Sequence, residues 1–189
     1  MTRRVGIVVG ISGVGKTWLL EKLGAAIPMQ ILSASTLIRD SLTKTEEQLT
    51  SQDHLRARNI DDNQAALLEA FNRHIDPDKT LVILDAHVVI DTPHGLVHIG
   101  SDLFREMDPD FMVFVKDEPR KIHRNRERDV SRTRPERSVD SLAKHQEIAI
   151  AAARDISDNL RIPIHFVNGG DDDALGRILR AVQEAEPDV

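Results

Sequence analysis

The sequence predicts an α/β protein of three layers, in which a five-stranded parallel sheet lies between two layers of helices. Short apolar runs alternate along the chain with stretches in which apolar residues recur at helical spacing. Strands that alternate with helices pair in parallel, and the connecting helices cover both faces of the sheet. A chain of 189 residues can bury a substantial core. We therefore expect a single domain over residues 1–189.

Strands are predicted at five apolar runs. Residues 5–9 and 81–84 are short, apolar and largely β-branched, as expected for parallel strands that are buried on both faces. The predicted strands cover residues 3–9, 29–33, 80–85, 110–115 and 162–167.

Helices are predicted between these strands. The first helix carries Leu19, Leu20 and Leu23 at helical spacing, and we interpret the neighbouring Trp18 as a packing residue of the same helix. Pro135 disfavours helix just before it, so residues 132–135 are predicted to form a loop. The predicted helices cover residues 16–26, 35–41, 46–57, 61–75, 118–128, 140–160 and 172–186.

The composition argues against several classes of protein. The net charge is −6, whereas a general binder of nucleic acids or membranes needs a basic surface, so neither partner is expected. The chain has no cysteine, which excludes a disulfide framework and a thiolate metal site and fits a reducing compartment. Residues 1–4 lead directly into the first strand, so we expect neither a signal peptide nor a membrane span. These features favour a cytoplasmic protein.

Residues 10–17 match the phosphate-binding pattern G-x-x-x-x-G-K-[ST], the P-loop. Its glycines let successive backbone N–H groups point at phosphate oxygens, and the following helix adds its positive N-terminal end. Lys16 is expected to contact the β and γ phosphates of ATP, and the Thr17 hydroxyl to bind the Mg²⁺ that bridges them. A strand before the motif and a helix after it make a chance match rare. The predicted ATP-binding residues here are Gly10, Ser12, Gly13, Val14, Gly15, Lys16 and Thr17.

The residues that follow the strands are further candidates, because ligands of parallel α/β sheets gather at the carboxyl ends of the strands. Ser35, Thr36 and Arg39 follow the second predicted strand; they either bind a second phosphate-bearing ligand or form an ordinary helix cap with a solvated arginine. Asp85 ends the third predicted strand, where a carboxylate can hold Mg²⁺ or its water, or can simply cap a turn. His87 is a candidate substrate contact or a structural histidine.

An arginine-rich run covers residues 121–137. Arginine suits bidentate contact with phosphate and stabilises the charge that develops during phosphoryl transfer. The acidic residues of the run could instead pair with the arginines on a solvated surface. Because the arginines are concentrated in one segment of an acidic P-loop protein, we expect a lid at about residues 128–139.

These motifs together resemble the nucleoside monophosphate kinases, and the archaeal-type adenylate kinases most closely. Asp85-x-His87, with Thr-Pro-His-Gly at residues 92–95, is similar to the family's D-T-H and T-P-K-G segments. Residues 129–134 resemble the family's D-x-x-R-N-R lid, and residues 145–148 resemble its E-E-H-Q helix. The resemblance covers residues 3–180.

The resemblance implies a P-loop kinase fold with a short arginine-rich lid and an acceptor-binding helical segment at about residues 35–75. It implies that Arg39 and Arg56 hold the acceptor phosphate and that the loop beginning at Asn168 covers the adenine of ATP. It also implies that the chain forms a homo-oligomer, as the archaeal-type relatives form trimers. Arg124, Arg126 and Arg128 compete for the remaining lid position. The residues assigned to catalysis are Lys16, Arg128, Arg132 and Arg134; those assigned to the acceptor are Ser35, Thr36, Arg39, Arg56 and His87; those assigned to the metal are Thr17 and Asp85.

The sequence departs from the family pattern at three places. Trp18 replaces a small hydroxylic residue, Pro135 interrupts the lid motif, and residues 99–102 replace a proline-containing segment near the acceptor base. Because the last departure lies near the acceptor base, the resemblance determines the preferred base of the acceptor less well than the other properties.

The predicted activity is Mg²⁺-dependent transfer of the ATP γ-phosphoryl group to a nucleoside monophosphate, with AMP as the expected acceptor. One alternative is a kinase of a small hydroxylic metabolite, which would recruit a carboxylate such as Asp85 as base. A paired-arginine acceptor site argues against it, because a neutral alcohol does not need two cations. Another alternative is an ATP-dependent switch or assembly ATPase that acts through a protein partner.

Overall fold

The computed structural model describes residues 3–43, 60–92, 94–129 and 135–185. Its strands are β1 (Arg4–Val9), β2 (Gln30–Ser33), β3 (Leu81–Asp85), β4 (Val89–Thr92), β5 (Gly95–His98), β6 (Phe111–Lys116) and β7 (Ile164–Asn168). Within these ranges a five-stranded parallel sheet has the order β2-β3-β1-β6-β7. This sheet confirms the predicted fold class and contains all five predicted strands.

The helices of the described ranges pack in layers on the sheet. They are α1 (Lys16–Gly24), α2 (Ala34–Thr43), α3 (Ile60–His74), α4 (Ser101–Arg105), α5 (Pro119–Arg128), α6 (Val139–Leu160) and α7 (Asp172–Glu184). α1 packs against α7, whereas α6 packs against α4 and α5. The chain moves across the sheet in opposite directions from β1 to β2 and from β6 to β7, so right-handed crossovers place α1 and α6 on opposite faces. None of these described helices combines the length and the apolar character that crossing a membrane requires.

β1 lies at the centre of the sheet and of the core. Its residues Ile7, Val8 and Val9 are completely inaccessible, because β3 and β6 cover its two edges and helices cover its faces. At its start, Asp110 accepts a 2.7 Å hydrogen bond from Val5 N and lies 2.7 Å from Arg4 Nη1. These contacts set the beginnings of β1 and β6 side by side.

The segment between β3 and β6 was not predicted to contain regular structure. β4 and β5 form an antiparallel hairpin there, and α4 follows it. Strands of four residues are too short for a recognisable period in the sequence. Tertiary contacts hold these strands in place. Val89 is buried in the core, and Ile99 N donates a 2.9 Å hydrogen bond to Val88 O.

The predicted packing role of Trp18 is wrong. Trp18 is 53% exposed, whereas Leu19, Leu20 and Leu23 of the same helix are buried. Neighbouring residues of a helix point about 100° apart. The three leucines therefore occupy the inward face, and Trp18 projects from the outer one.

Several predicted features lie outside the described residues. These are the helix at residues 46–57, Arg56 of the acceptor site, and Arg132 and Arg134 of the lid. The assignments remain predictions.

Polar side chains from four parts of the chain meet beside β4 in what we call the Asp91 cluster: Asp91, Arg126, Arg137 and His145. The Asp91 carboxylate lies 3.3 Å from Arg126 Nη2 and 2.9 Å from Arg137 Nη2. The Asp91 and Arg126 side chains are only 3% and 9% exposed. The cluster thus ties β4 to α5 and to the segment that leads into α6.

His145 adds a titratable group to this cluster. Burial lowers its pKa below the ordinary 6.5; the Asp91 carboxylate and a hydrogen bond to the Val89 backbone raise it, and Arg126 and Arg137 lower it further. The imidazole is therefore neutral in the folded protein at neutral pH. In the unfolded chain it binds a proton more readily.

This difference predicts that acid destabilises the protein through His145. Below pH 6.5 the unfolded chain binds more protons at this site than the folded one, so the free energy of unfolding should fall as the pH falls toward the folded pKa. We expect His145→Gln to remove up to about 1.4 kcal/mol per pH unit of that dependence. Urea unfolding of both proteins at about pH 7.5 and about pH 5.5 measures it, and parallel pH profiles would contradict the assignment.

Candidate active site

The P-loop forms a tight turn between β1 and α1. Gly13 and Gly15 have φ values of 91° and 97°, a region that side-chain-bearing residues rarely adopt. A Cβ atom on Gly13 would also lie 2.6 Å from Arg126 Cγ, so α5 packs directly on the turn. The hydrogen-bond ladder of α1 begins where Leu19 N donates to Gly15 O, and the amides before it lie outside this ladder.

Lys16 lies buried behind the turn. Its side chain is 6% exposed, and Nζ donates a 3.0 Å hydrogen bond to Gly10 O while lying 3.6 Å from Asp85 Oδ1. His87 Nδ1 also lies 2.7 Å from Gly10 O. A carbonyl oxygen only accepts, so this nitrogen carries the proton. Lys16 and His87 therefore converge on the first carbonyl of the loop.

Thr17 and Asp85 form a pair of oxygen donors at the mouth of the turn. The Thr17 hydroxyl donates a 3.3 Å hydrogen bond to Asp85 Oδ2. Asp85 ends β3 beside Val8 of β1, so the parallel register brings the carboxylate to the loop. Hydroxyl and carboxylate oxygens are ligands that Mg²⁺ prefers, and Mg²⁺ takes few protein ligands and keeps several waters. The chemistry of the pair fits this ion.

A cleft of about 680 Å³ opens above the carboxyl edge of the sheet, with the P-loop and Asp85 at its centre. Small ligands occupy pockets of roughly 300–1,000 Å³. Toward β2 the cleft is lined by Ser33, Ala34, Ser35 and Thr36, where α2 begins. Toward β6 and β7 it is lined by Asp117, Lys121, Asn125, Gly169 and Gly170. We call these the β2 side and the β7 side.

Known proteins are similar to this chain over most of its length. A family model described as an AAA domain matches residues 9–143. The adenylate kinase of Thermoplasma acidophilum is 32% identical over 164 residues, which cover 84% of this chain and 86% of that enzyme. The adenylate kinase of Thermoplasma volcanium is 25% identical over 94% of this chain and 98% of its own. The chain belongs to the archaeal-type adenylate kinase family. It is a nucleoside monophosphate kinase, a phosphotransferase with a nucleotide-binding P-loop.

Solved structures agree with the P-loop kinase fold. Shikimate kinase from Bacteroides thetaiotaomicron superposes with a TM-score of 0.58 over 96% of this chain and 99% of that chain, at 15% identity. Shikimate kinase from Acinetobacter baumannii, solved in complex with shikimate, gives a TM-score of 0.57 at 15% identity, over 96% of this chain and 93% of that chain. At this identity the likeness concerns the fold alone.

The β7 side of this archaeal-type kinase is built around Asp117, which follows β6. The Gln146 amide makes a paired contact with its backbone: Asp117 N donates to Gln146 Oε1 at 3.0 Å, and Gln146 Nε2 donates to Asp117 O at 3.0 Å. The Asp117 carboxylate lies 2.6 Å from Lys121 Nζ, which also donates a 2.8 Å hydrogen bond to Gly169 O. These bonds join β6, α5, α6 and the loop after β7 into one wall.

Gly169 lets this wall close on the P-loop. A Cβ atom at this position would lie 2.4 Å from Val14 O and 2.5 Å from Asp117 Oδ2. Asn125 of α5, also on the β7 side, donates a 3.0 Å hydrogen bond from Nδ2 to Gly13 O. The P-loop is thus held by its neighbours as well as by its own conformation.

The structure brings most of the predicted site residues into one cleft. Lining it are Ser12, Gly13, Val14, Gly15, Lys16, Thr17, Ser35, Thr36, Asp85 and His87, and Gly10 is joined to it through Lys16 and His87. Arg39, Arg128 and Asn168 do not line it. Arg39 Nε lies 3.4 Å from the adjacent Asp40, Arg128 is exposed at the end of α5, and Asn168 is exposed at the end of β7, next to Gly169.

Sequence reasoning missed Asp117, Lys121 and Asn125 on the β7 side. The rule that led to Asp85 could have found Asp117, because both follow the carboxyl end of a strand. Lys121 and Asn125 follow Asp117 at intervals of four residues, which places them on one face of α5. They were attributed to the arginine-rich run instead.

Proposed function

We propose that this protein transfers the γ-phosphoryl group of ATP, in a Mg²⁺-dependent reaction, to the phosphate of a nucleoside monophosphate, with AMP as the acceptor. The observation that carries the proposal is a single cleft with two regions suited to anions, the P-loop at its centre and the start of α2 on its β2 side. Phosphoryl transfer requires the donor and acceptor to meet in line, and one cleft provides for both.

The donor is held by the P-loop. Its amides and the N-terminal end of α1 receive the phosphates, and Lys16 places its charge on the β and γ phosphates. Thr17 and Asp85 would hold Mg²⁺, which would supply positive charge next to the phosphates. The buried position of Lys16 beside Gly10 O fixes its ammonium group before the nucleotide arrives.

The acceptor monophosphate binds at the β2 side. Ser33 Oγ and Ser35 Oγ lie 3.1 Å apart at the end of β2, and the first turn of α2 follows directly. Hydroxyl groups and a helix N-terminus both favour an anion. Arg39 and Arg56 complete the acceptor site in this proposal. Arg39 would exchange its contact with Asp40 for the phosphate.

The acceptor phosphate is already an anion at neutral pH, so the reaction needs no general base. Catalysis then consists of positioning and of neutralising charge on the transferring group. Arg128, Arg132 and Arg134 would supply that charge from the predicted lid, which would also keep water from the γ phosphate.

A hydroxyl acceptor is disfavoured by the state of Asp85. Lys16 lies 3.6 Å from one of its carboxylate oxygens, and the Thr17 hydroxyl donates to the other. Both carboxylate oxygens of Asp85 are thus already in contact with other groups of the site. The β2 side, as defined above, carries the hydroxyl groups of Ser33, Ser35 and Thr36.

An acceptor panel tests the proposal. Purified protein with MgATP is given AMP, CMP, GMP, UMP or dTMP, each isotopically labelled, and the labelled diphosphates are separated by chromatography. We expect rapid formation of labelled ADP from AMP, and its loss when EDTA removes Mg²⁺. Unlabelled ADP formed at one slow rate with every acceptor would contradict the proposal and favour a switch ATPase.

We further propose that the protein works in the cytoplasm as a homo-oligomer, by resemblance to the trimeric archaeal-type relatives. The absence of cysteine from the sequence fits a reducing compartment.

A further inference from the structure

Trp18 is an exposed aromatic residue on the wall of the cleft. It is 53% exposed, and it is the only tryptophan in a chain without tyrosine. Tryptophan is usually well buried, because its large apolar surface is costly to leave in water. Of the large hydrophobic residues that the described structure exposes, Trp18 and Ile31 line the cleft and Ile148 does not. The exposure of Trp18 therefore coincides with a binding site.

The position of Trp18 in the motif points to the donor nucleoside. In a P-loop the lysine reaches the β and γ phosphates, and the backbone amides cradle the α and β phosphates. Lys16 and Trp18 both lie in the first turn of α1, but the Lys16 ammonium group is buried beside Gly10 O, whereas the Trp18 ring is exposed and lines the open cleft. In this arrangement the β and γ phosphates lie at the buried Lys16 ammonium group and the α phosphate lies nearer the open cleft. The nucleoside attached to the α phosphate then leaves the loop next to Trp18.

The Trp18 ring contacts Lys22, and Lys22 links it to the start of α7, next to the loop after β7. Lys22 Nζ lies 5.1 Å from the centroid of the Trp18 ring and 2.8 Å from Asp172 Oδ2. The hydrogen bond from Lys22 lowers the pKa of Asp172, which keeps this carboxylate ionised. Asp172 begins α7, two residues after Gly170 of the cleft wall. Lys22 occupies one face of the indole, so the opposite face remains for a second planar group.

We propose that the base of the donor nucleotide stacks on the Trp18 ring. That the ligand is a nucleoside triphosphate rests on the proposed function. Stacking tolerates any base, because every base has a π face. Trp18 therefore strengthens donor binding without selecting adenine, and it does not touch the acceptor.

Intrinsic fluorescence tests the contact directly, because all indole emission of this protein comes from Trp18. The protein is excited at the red edge of indole absorption and titrated with MgATP, MgGTP, magnesium tripolyphosphate or AMP. We expect saturable quenching by both nucleoside triphosphates and little change with tripolyphosphate, which has no base. Equal responses to MgATP and tripolyphosphate, or a response to AMP alone, would overturn the proposal.

Steady-state kinetics of Trp18 variants then distinguish a stacking contact with the donor base from a role of Trp18 in protein packing. Trp18→Ala should raise KM for ATP and for GTP about tenfold or more, with kcat and the acceptor KM within about twofold of the original. Trp18→Phe, which keeps an aromatic face, should recover most of the donor affinity, and Trp18→Leu should not. Ile148→Ala is the matched control, since it removes an exposed apolar side chain away from the cleft. An unchanged donor KM in Trp18→Ala would reject the stacking contact.

Failure of the proposed function gives a different result. If no monophosphate accepts the phosphoryl group but MgATP still quenches the fluorescence, the acceptor assignment is wrong and the Trp18 contact stands. If diphosphate forms normally but base-dependent quenching is absent, the Trp18 contact is wrong and the kinase assignment stands.

Discussion

Replacing Lys16 by alanine should lower kcat for phosphoryl transfer by about 100-fold or more, the effect of removing a preorganised charge from a phosphoryl-transfer site. The ammonium group is buried and held between Gly10 O and Asp85, so no flexible surface lysine can take its place. Initial rates with MgATP and AMP measure the loss. Lys16→Met should lose as much, because it keeps the apolar stem and removes only the charge.

The fold should survive this change, because the Lys16 ammonium group contacts Gly10 O and Asp85 at the cleft rather than apolar residues of the core. Lys144→Ala is the matched control, a lysine exposed on α6 away from the cleft, and it should keep full activity. Circular dichroism should show the same helix content in all three variants. Turnover near the original rate in Lys16→Ala would reject the assignment of the P-loop as the donor site.

Replacing Asp91 by alanine should lower the free energy of unfolding by about 3–5 kcal/mol, the cost of breaking a buried ion pair. Asp91 holds both Arg126 and Arg137, and its own side chain is 3% exposed. Without the carboxylate, both guanidinium groups lose the negative charge that they share. Urea unfolding followed by circular dichroism measures the change.

Asp102→Ala provides the matched control for the Asp91 experiment. Asp102 also pairs with an arginine, Arg105, but its side chain is 92% exposed, so its loss should cost less than about 1 kcal/mol. Asp91→Asn keeps the shape of the side chain and should still be strongly destabilising. Equal effects of the Asp91 and Asp102 substitutions would show that the Asp91 cluster contributes no more than a surface ion pair.

The Asp91 cluster also bears on activity, because Arg126 packs against Gly13 of the P-loop as well as against Asp91. Loss of the cluster would therefore loosen α5 from the phosphate-binding turn. We expect a residual KM increase for ATP in Asp91→Asn even at temperatures where the variant is folded.

The centre of this site could be predicted because its signals are local. The P-loop is one contiguous motif, and its strand and helix flanks are recognisable from the apolar residues alone. Asp85 was found because a parallel sheet brings the ends of its strands to one edge, so the end of an apolar run already implies a position in space. The structure places Lys16, Thr17 and Asp85 in contact as this reasoning requires.

What the sequence alone determined, then, is the alternation of the five sheet strands with helices, the P-loop turn and the approach of Asp85 to that turn. Only the tertiary structure decided the hairpin of β4 and β5, the Asp91 cluster, the Gln146 support of Asp117 and the exposure of Trp18. Each of these depends on partners distant along the chain: Asp91 meets Arg137 across 46 positions, and Asp117 meets Gln146 across 29. The spacing of apolar residues along the chain indicates which residues prefer burial. Whether a residue is buried depends on which surfaces the folded chain brings together.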